Sequence, residues 1–209
     1  MNIIKKIILL FAITIIAIKI NAQTTTIYGK VLKGDGSRLK GTAVIKGYED
    51  QLIINNFTGG SDNTATIEIE VPTAAYMADF RSMMNTAPKQ TLTAKPAAVN
   101  VQKQPGTSIA IAPGNITTQS HQAFPISRFD ISVTSRVGNA MPTLSRQIFF
   151  ENVIVEACTD IATSNTSKIK LKANRIGWIY YTADPVKGTI KVTGKSGWDN
   201  VAGIAWNNF

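Results

Sequence analysis

Hydrophobic and polar residues alternate along much of this chain with a period of two, the spacing that sends successive side chains to opposite faces of a β-strand. In 66–71, Ile67, Ile69 and Val71 alternate with Glu68 and Glu70. Phe129, Ile131 and Val133 alternate with Asp130, Ser132 and Thr134, and Ile169, Leu171 and Ala173 alternate with Lys168, Lys170 and Lys172. Each run predicts a strand with one buried and one wet face, and the lysines form a basic ladder of the kind that discourages edge pairing. Segments 24–32 and 42–57 are rich in β-branched and aromatic residues, and Gly34-Asp35-Gly36 between them supplies the positive φ of a tight turn, so the pair predicts a β-hairpin. The pattern changes in 175–181, where Ile176, Trp178 and Tyr180 share one face and Ile179 and Tyr181 the other. A strand apolar on both faces must be covered twice, either within its own domain or with the help of a helix or a neighbouring subunit. These five residues are therefore the candidate assembly or packing strand.

One segment follows a helical period instead. After Val71-Pro72, Thr73 can cap a helix in which Tyr76, Phe80, Met83 and Met84 fall on one stripe. A helix over about 73–85 is predicted, and an amphipathic helix in a β-rich domain is expected to plug the core rather than offer a methionine-lined groove. From 88 to 125 the composition shifts to Ala, Pro, Gln, Thr and Gly, with 99–101 and 108–112 as its only strand-like pieces. That stretch reads as an inserted loop or a long β-arm.

The N-terminus carries a processing signal. Lys5 and Lys6 precede an apolar run from Ile7 to Ile18, and Ile20-Asn21-Ala22 ends in a small residue, which predicts a secretory signal peptide over 1–22 cleaved after Ala22. The apolar run, bounded by Lys6 and Lys19, is short for a bilayer span, and no cysteine flanks Ala22 to take a lipid. The mature chain, 23–209, is then expected to be one exported domain with the 88–125 insertion and no membrane partner.

Charge and chemistry exclude more than they nominate. The chain has 22 Lys+Arg and 13 Asp+Glu, and removal of Lys5, Lys6 and Lys19 lowers the net charge from +9 to +6. The basic residues are scattered, without a basic helix, an RNA-binding aromatic signature or a zinc-finger spacing, so nucleic acid is not an expected partner. Cys158 is the only cysteine and His121 the only histidine. An exported chain with one cysteine has no internal disulfide, and the thiol reads as a buried or half-buried strand residue rather than a nucleophile. No phosphate-binding loop, metalloprotease helix or nucleophile elbow is present, and the acids are too dispersed to nominate a general acid and base: Glu151 and Asp199 could pair across a cleft, but so could any two carboxylates. The expectation is no catalytic residues, no cofactor and no metal site.

Five segments occur in a telling order. Lys46-Gly47-Tyr48-Glu49 leads into Gln51-Leu52-Ile53-Ile54; a strand at 66–71 runs into the single helix; 128–157 forms a central hairpin; 168–181 ends in Trp178-Ile179-Tyr180; and Gly197-Trp198-Asp199 follows near the end. In this conjunction the chain resembles the haemolysin-coregulated protein (Hcp) family, the tube-forming subunits of type VI secretion systems. The resemblance implies a mainly β fold, an Hcp-like barrel of two antiparallel sheets with one flanking helix. It also implies a non-enzymatic structural role, in which hexameric rings of this chain stack into a hollow tube and meet secretion-system components or secreted cargo. Closed rings use head-to-tail contacts, so each subunit needs two unlike patches. The alternative from the residues alone is a monomeric exported β-barrel that holds a glycan, peptide or surface partner with the 88–125 arm and exposed aromatics such as Tyr48 and Trp206.

Overall fold

A computed structural model of the protein describes residues 23–60, 65–84, 89–95, 117–138, 140–184 and 189–209, with 89–95 and 117–123 as backbone alone. The expected signal peptide at 1–22 and the strand-like pieces at 99–101 and 108–112 lie outside the described residues. Within them the elements run β1 (Gln23–Lys33), β2 (Leu52–Ile54), β3 (Asn56–Gly59), β4 (Thr66–Pro72), α1 (Tyr76–Met84), β5 (Lys89–Lys95), β6 (Thr117–Ala123), β7 (Ile126–Val137), β8 (Thr143–Ile161), β9 (Thr166–Ala183), β10 (Ile190–Asp199) and β11 (Ile204–Ala205).

Every pairing is antiparallel. β1 pairs with β7, β7 with β8 and β8 with β9. Along its other edge β9 takes β4 at 166–172 and β10 at 175–183. β2 pairs with β1, and β3 pairs with β4. Between them the Asn55 N–H donates to the Glu70 carbonyl at 2.8 Å, so β2 and β3 act as one bent strand that joins β1 to β4 and closes the ladder into a barrel. Closure leaves no free edge along that part of the sheet. The far halves of β8 and β9, with β10 and β11, continue past the barrel as a sheet extension.

The period-two readings explain the interior. Ile67, Ile69, Val71, Phe129, Ile131, Ile169 and Leu171 are all buried in one apolar core with Ile148, Phe150 and Ile176. Two outward residues of β7 depart from strict alternation. Ser132 and Thr134 are buried, 6% and 1% exposed, and the Thr134 hydroxyl donates to the Thr26 carbonyl at 2.9 Å. The lysine ladder does not guard an edge, because β9 is flanked on both sides. Its lysines stand among acids instead: Lys168 reaches Glu68 and Lys170 reaches Glu156, each at 3.1 Å.

The helix plugs the core as expected, with Tyr76, Met77, Phe80 and Met83 buried. Its start differs from the sequence reading. The Thr73 hydroxyl pairs with that of Ser167 at 2.8 Å, and its N–H donates to Asn165, so Thr73 ties β4 to β9 and the helix begins three residues later. The buried stripe takes in Met77 in place of Met84, which is left 39% exposed. Ion pairs pin both flanks: Lys33 Nζ lies 2.9 Å from Asp79 Oδ1, and Arg81 pairs with Asp160.

Segment 42–51 is not a strand. The Gly41 N–H donates to Asp50, Asp50 to Ala43 and Ala43 to Gln51, which folds the segment onto itself, and Gly47 (φ +88°) and Asp50 (φ +57°) break the extended backbone. The turn at Gly34-Asp35-Gly36 forms as predicted, with Gly36 at φ +84°. In the inserted arm, β5 and β6 form a two-stranded antiparallel sheet of their own. The sequence reading missed these strands because Lys89–Lys95 and Thr117–Ala123 carry few of the apolar residues from which strands are recognised.

Candidate assembly surface

The two faces of 175–181 have different fates. On the inner face Ile176 is fully buried opposite Phe150. Trp178 is half-buried, and its indole N–H donates to the Gly60 carbonyl at 2.6 Å. Tyr180 is 44% exposed and stands opposite Arg146, whose guanidinium carbon lies 5.6 Å from the centre of the Phe57 ring. Phe57, Arg146, Trp178 and Tyr180 line a cavity of about 230 Å³ where the sheet extension leaves the barrel.

On the outer face, Gly177 and Gly197 stand opposite one another in β9 and β10. The C-terminal segment folds back over them. A Cβ on Gly177 would lie 2.8 Å from the Phe209 ring, and one on Gly197 only 2.3 Å from the Trp206 carbonyl oxygen. Glycine at both positions lets Phe209 lie flat on the sheet, with its centroid 4.7 Å from Trp206 and 5.5 Å from Phe149. Lys195 completes the clamp, its Nζ 4.4 Å from the Phe209 ring centre and 3.0 Å from the Phe209 carbonyl. Trp206 is thus only 7% exposed and is not the open binding aromatic expected of it. Tyr48 too is half-buried, stacked on Tyr28.

Past this cluster the outer face opens. Ile179 is half-buried, and the Tyr181 hydroxyl donates to Gln147 Oε1 at 2.5 Å. Beside them on β10, Val192 and Ile190 stand opposite Tyr181 and Ala183 and are 59% and 46% exposed. The second cover for the doubly apolar strand is therefore its own C-terminal segment over Gly177, while the far end stays uncovered.

A row of charges crosses four strands. Arg128 of β7, Glu151 of β8, Arg175 of β9 and Asp199 of β10 are successive cross-strand partners. Arg128 and Arg175 lie 3.7 and 3.5 Å from the two Glu151 oxygens, and Arg175 Nε donates to Asp199 Oδ2 at 2.7 Å. Glu151 and Asp199 are thus arginine partners and not an acid–base pair. Asp199 Oδ1 also accepts the N–H groups of Val201 and Ala202 at 2.9 Å each. The backbone donor of Ala202 first, then the Arg175 guanidinium, hold the Asp199 carboxyl below its ordinary value of 3.8. The Gly-Trp-Asp triplet now has a physical reading: Gly197 admits Phe209, Trp198 packs on the core, and Asp199 anchors the end of the charge row.

The depressed Asp199 carboxyl sets an acid limit. Its stabilisation is present above the unfolded value near 4 and is lost as pH falls through the lower folded value. Asp199→Asn is expected to cost about 1–2 kcal/mol at pH 7, the weakening of one charge-assisted hydrogen bond between a mostly buried carboxylate and a part-exposed arginine. Urea midpoints of the two proteins should converge as the pH falls below about 4; a gap that persists unchanged in acid would show that the carboxylate charge is not what Asp199 supplies.

Cys158 is half-buried against the core, and burial pushes its thiol up from the ordinary value, away from nucleophilic use. His121 lies on β6 opposite Thr91, far in sequence from any acid. Among the described residues no group of three His, Cys, Asp or Glu side chains is placed to hold a metal, and no helix is long and apolar enough to cross a membrane. The glycine pair under Phe209 and the charge row escaped the sequence reading. A glycine inside each of two predicted strands was the available signal, because a strand glycine often marks close approach of another chain segment.

At the level of sequence, no family model and no curated protein matches the chain. Among solved structures, a type six secretion system protein matches with a TM-score of 0.57 at 10% identity, covering 88% of this chain and 100% of that one. Hcp1 from Salmonella typhimurium matches with a TM-score of 0.55 at 10% identity, over 87% of this chain and 99% of its own. Secreted protein Hcp3 from Pseudomonas aeruginosa follows with a TM-score of 0.50 at 10% identity, over 84% and 98%. These matches cover most of this chain and nearly all of each neighbour, and the chain has the Hcp fold.

Proposed function

We propose that the mature chain is a non-enzymatic structural subunit of the Hcp type, which assembles with copies of itself into hexameric rings that stack into tubes. In this reading 1–22 is removed as a signal peptide after Ala22, 23–209 is the single exported domain with 88–125 as its insertion, and secretion-system components or secreted cargo are its other partners. The observation that carries it is the match to a type six secretion system protein across the whole of that chain. Two unlike surfaces on one sheet extension favour it further. Tyr180 and Arg146 mark the inner face, and Tyr181, Val192 and Ile190 mark the outer one. A closed head-to-tail ring requires such a pair, since each contact joins different patches of neighbouring subunits. Lys191 and Lys195 on β10 argue against simple edge-to-edge strand pairing there.

Negative-stain microscopy and light scattering of residues 23–209 test the assembly. Rings of six subunits are expected, and Val192→Glu with Ile190→Glu should raise the concentration needed for assembly by about tenfold or more, as burying unpaired charge costs at least about 1.4 kcal/mol. A strict monomer at high concentration would overturn the proposal.

A further inference from the structure

A second cavity, of about 360 Å³, lies on the outer face of β1 and β7, where assembly through the sheet extension makes no use of it. Its size falls within the range of about 300–1,000 Å³ common for small-ligand sites. The floor is set by strand register: Tyr28 and Lys30 of β1 stand opposite Ser132 and Asp130 of β7, and Ser132 stands opposite Gln147 of β8. The folded segment 41–51 supplies the wall. Its Tyr48 ring stacks on Tyr28 at 4.3 Å between centroids and 17° between planes, and Tyr28 is itself 3% exposed. The wall is therefore a fixed one.

The polar groups in this cavity are placed but not used up. Gln51 is only 9% exposed, lines the cavity, and makes no side-chain hydrogen bond among the described residues. Its amide opens into the cavity and is free to donate to or accept from a polar occupant. Gln147 is oriented from behind: Tyr181 donates to its Oε1 at 2.5 Å, and its Nε2 donates to the Ser132 hydroxyl at 3.4 Å, which leaves one amide N–H unassigned. The charges offer no net sign. Lys30 and Asp130 face one another, and Arg128 Nε already donates to Asp130 at 2.7 Å. Neither an anion nor a cation is selected by such a lining. A neutral molecule with many hydroxyls and a flat C–H face fits it, because hydroxyls donate and accept to carboxamides while the C–H face packs on an aromatic ring.

We propose that this cavity binds a neutral saccharide, with Tyr48 as the stacking wall and the carboxamides of Gln51 and Gln147 reading its hydroxyls. Tyr181 is a positioning residue for Gln147. The site shares Tyr181 with the outer assembly face but needs no second subunit, so binding by the monomer and ring formation are read separately.

Residues 23–209 applied to an array of neutral, sulfated and sialylated oligosaccharides give the first test, followed by calorimetric titration of the neutral oligosaccharide best retained. Gln51→Leu should weaken that binding at least tenfold while the thermal midpoint stays about the same, since the lost amide makes no hydrogen bond among the described residues. Tyr48→Ala should weaken binding similarly. Because it can also loosen segment 41–51, Tyr48→Phe serves as the control that keeps both the fold and the stacking. Retention of no neutral oligosaccharide, preference for the charged ones, or full binding by Gln51→Leu would each overturn the assignment.

Discussion

Truncation of Phe80 to alanine is expected to cost about 3–5 kcal/mol, a large part of the 5–15 kcal/mol that holds a typical domain folded. Phe80 is fully buried at the middle of the only helix among the described residues, flanked on the same stripe by Tyr76, Met77 and Met83. The helix packs mainly on β8 and is held there by Lys33–Asp79 and Arg81–Asp160, so it cannot slide to refill the space. Removing the ring therefore loses its transfer free energy and also leaves most of a cavity. Met84→Ala, one residue beyond the buried stripe, should change stability by no more than about 0.5 kcal/mol. Urea unfolding of the two variants measures both values. Equal losses would mean that Met84 belongs to the buried stripe, as the spacing alone suggested.

That contrast shows where the sequence is legible. Alternation located β4, β7 and β9 because each has one dry and one wet face, and a period-two pattern records that directly. The helix was legible as an element, but its phase was not. Thr73 has the chemistry of a cap, and only the tertiary partner Ser167 draws its hydroxyl elsewhere. Segment 42–51 misled for a similar reason: its β-branched residues suit a strand, whereas the loop is held by backbone bonds that no local pattern encodes. The lysines of β9 looked like edge protection because a sequence does not say which strands flank a strand. Their partners, Glu68 and Glu156, come from β4 and β8.

The candidate strand 175–181 was legible in its double apolar character and not in what covers it. Its inner cover is the barrel core at Ile176 and the Gly60 carbonyl at Trp178. Its outer cover arrives from the last residues of the chain, and the same strand carries Arg175 into the charge row. Those two features brace β8, β9 and β10 against one another just where they leave the barrel. A surface that must meet neighbours head to tail benefits from such bracing, because less ordering remains to be done on contact. On the proposed assembly, the Gly-Trp-Asp triplet matters by keeping the extension rigid, not by touching a partner.

The bracing predicts opposite genetic behaviour for two glycines that face each other. Gly177→Ala and Gly197→Ala should each destabilise by about 1–3 kcal/mol, the range for an added methyl in a filled space. The obstacles differ. At Gly177 the three nearest atoms to a new Cβ all belong to the Phe209 ring, at 2.8 Å. At Gly197 a Phe209 ring carbon lies at 2.6 Å, but the nearest atom is the Trp206 carbonyl oxygen at 2.3 Å and the Ile176 carbonyl follows at 3.0 Å, and these two are backbone. Phe209→Ala should therefore relieve most of the cost of Gly177→Ala, so that the double variant is little worse than Phe209→Ala alone. The same change should leave a substantial cost at Gly197→Ala, where Trp206 N–H also donates to the Gly197 carbonyl at 2.9 Å and fixes the two backbones together. Double-mutant cycles from urea midpoints read the couplings directly, and values above about 0.5 kcal/mol mark residues in contact. Strictly additive costs for Gly177→Ala and Phe209→Ala would mean that the C-terminal ring does not rest on β9, and the outer cover of the candidate strand would have to come from somewhere else.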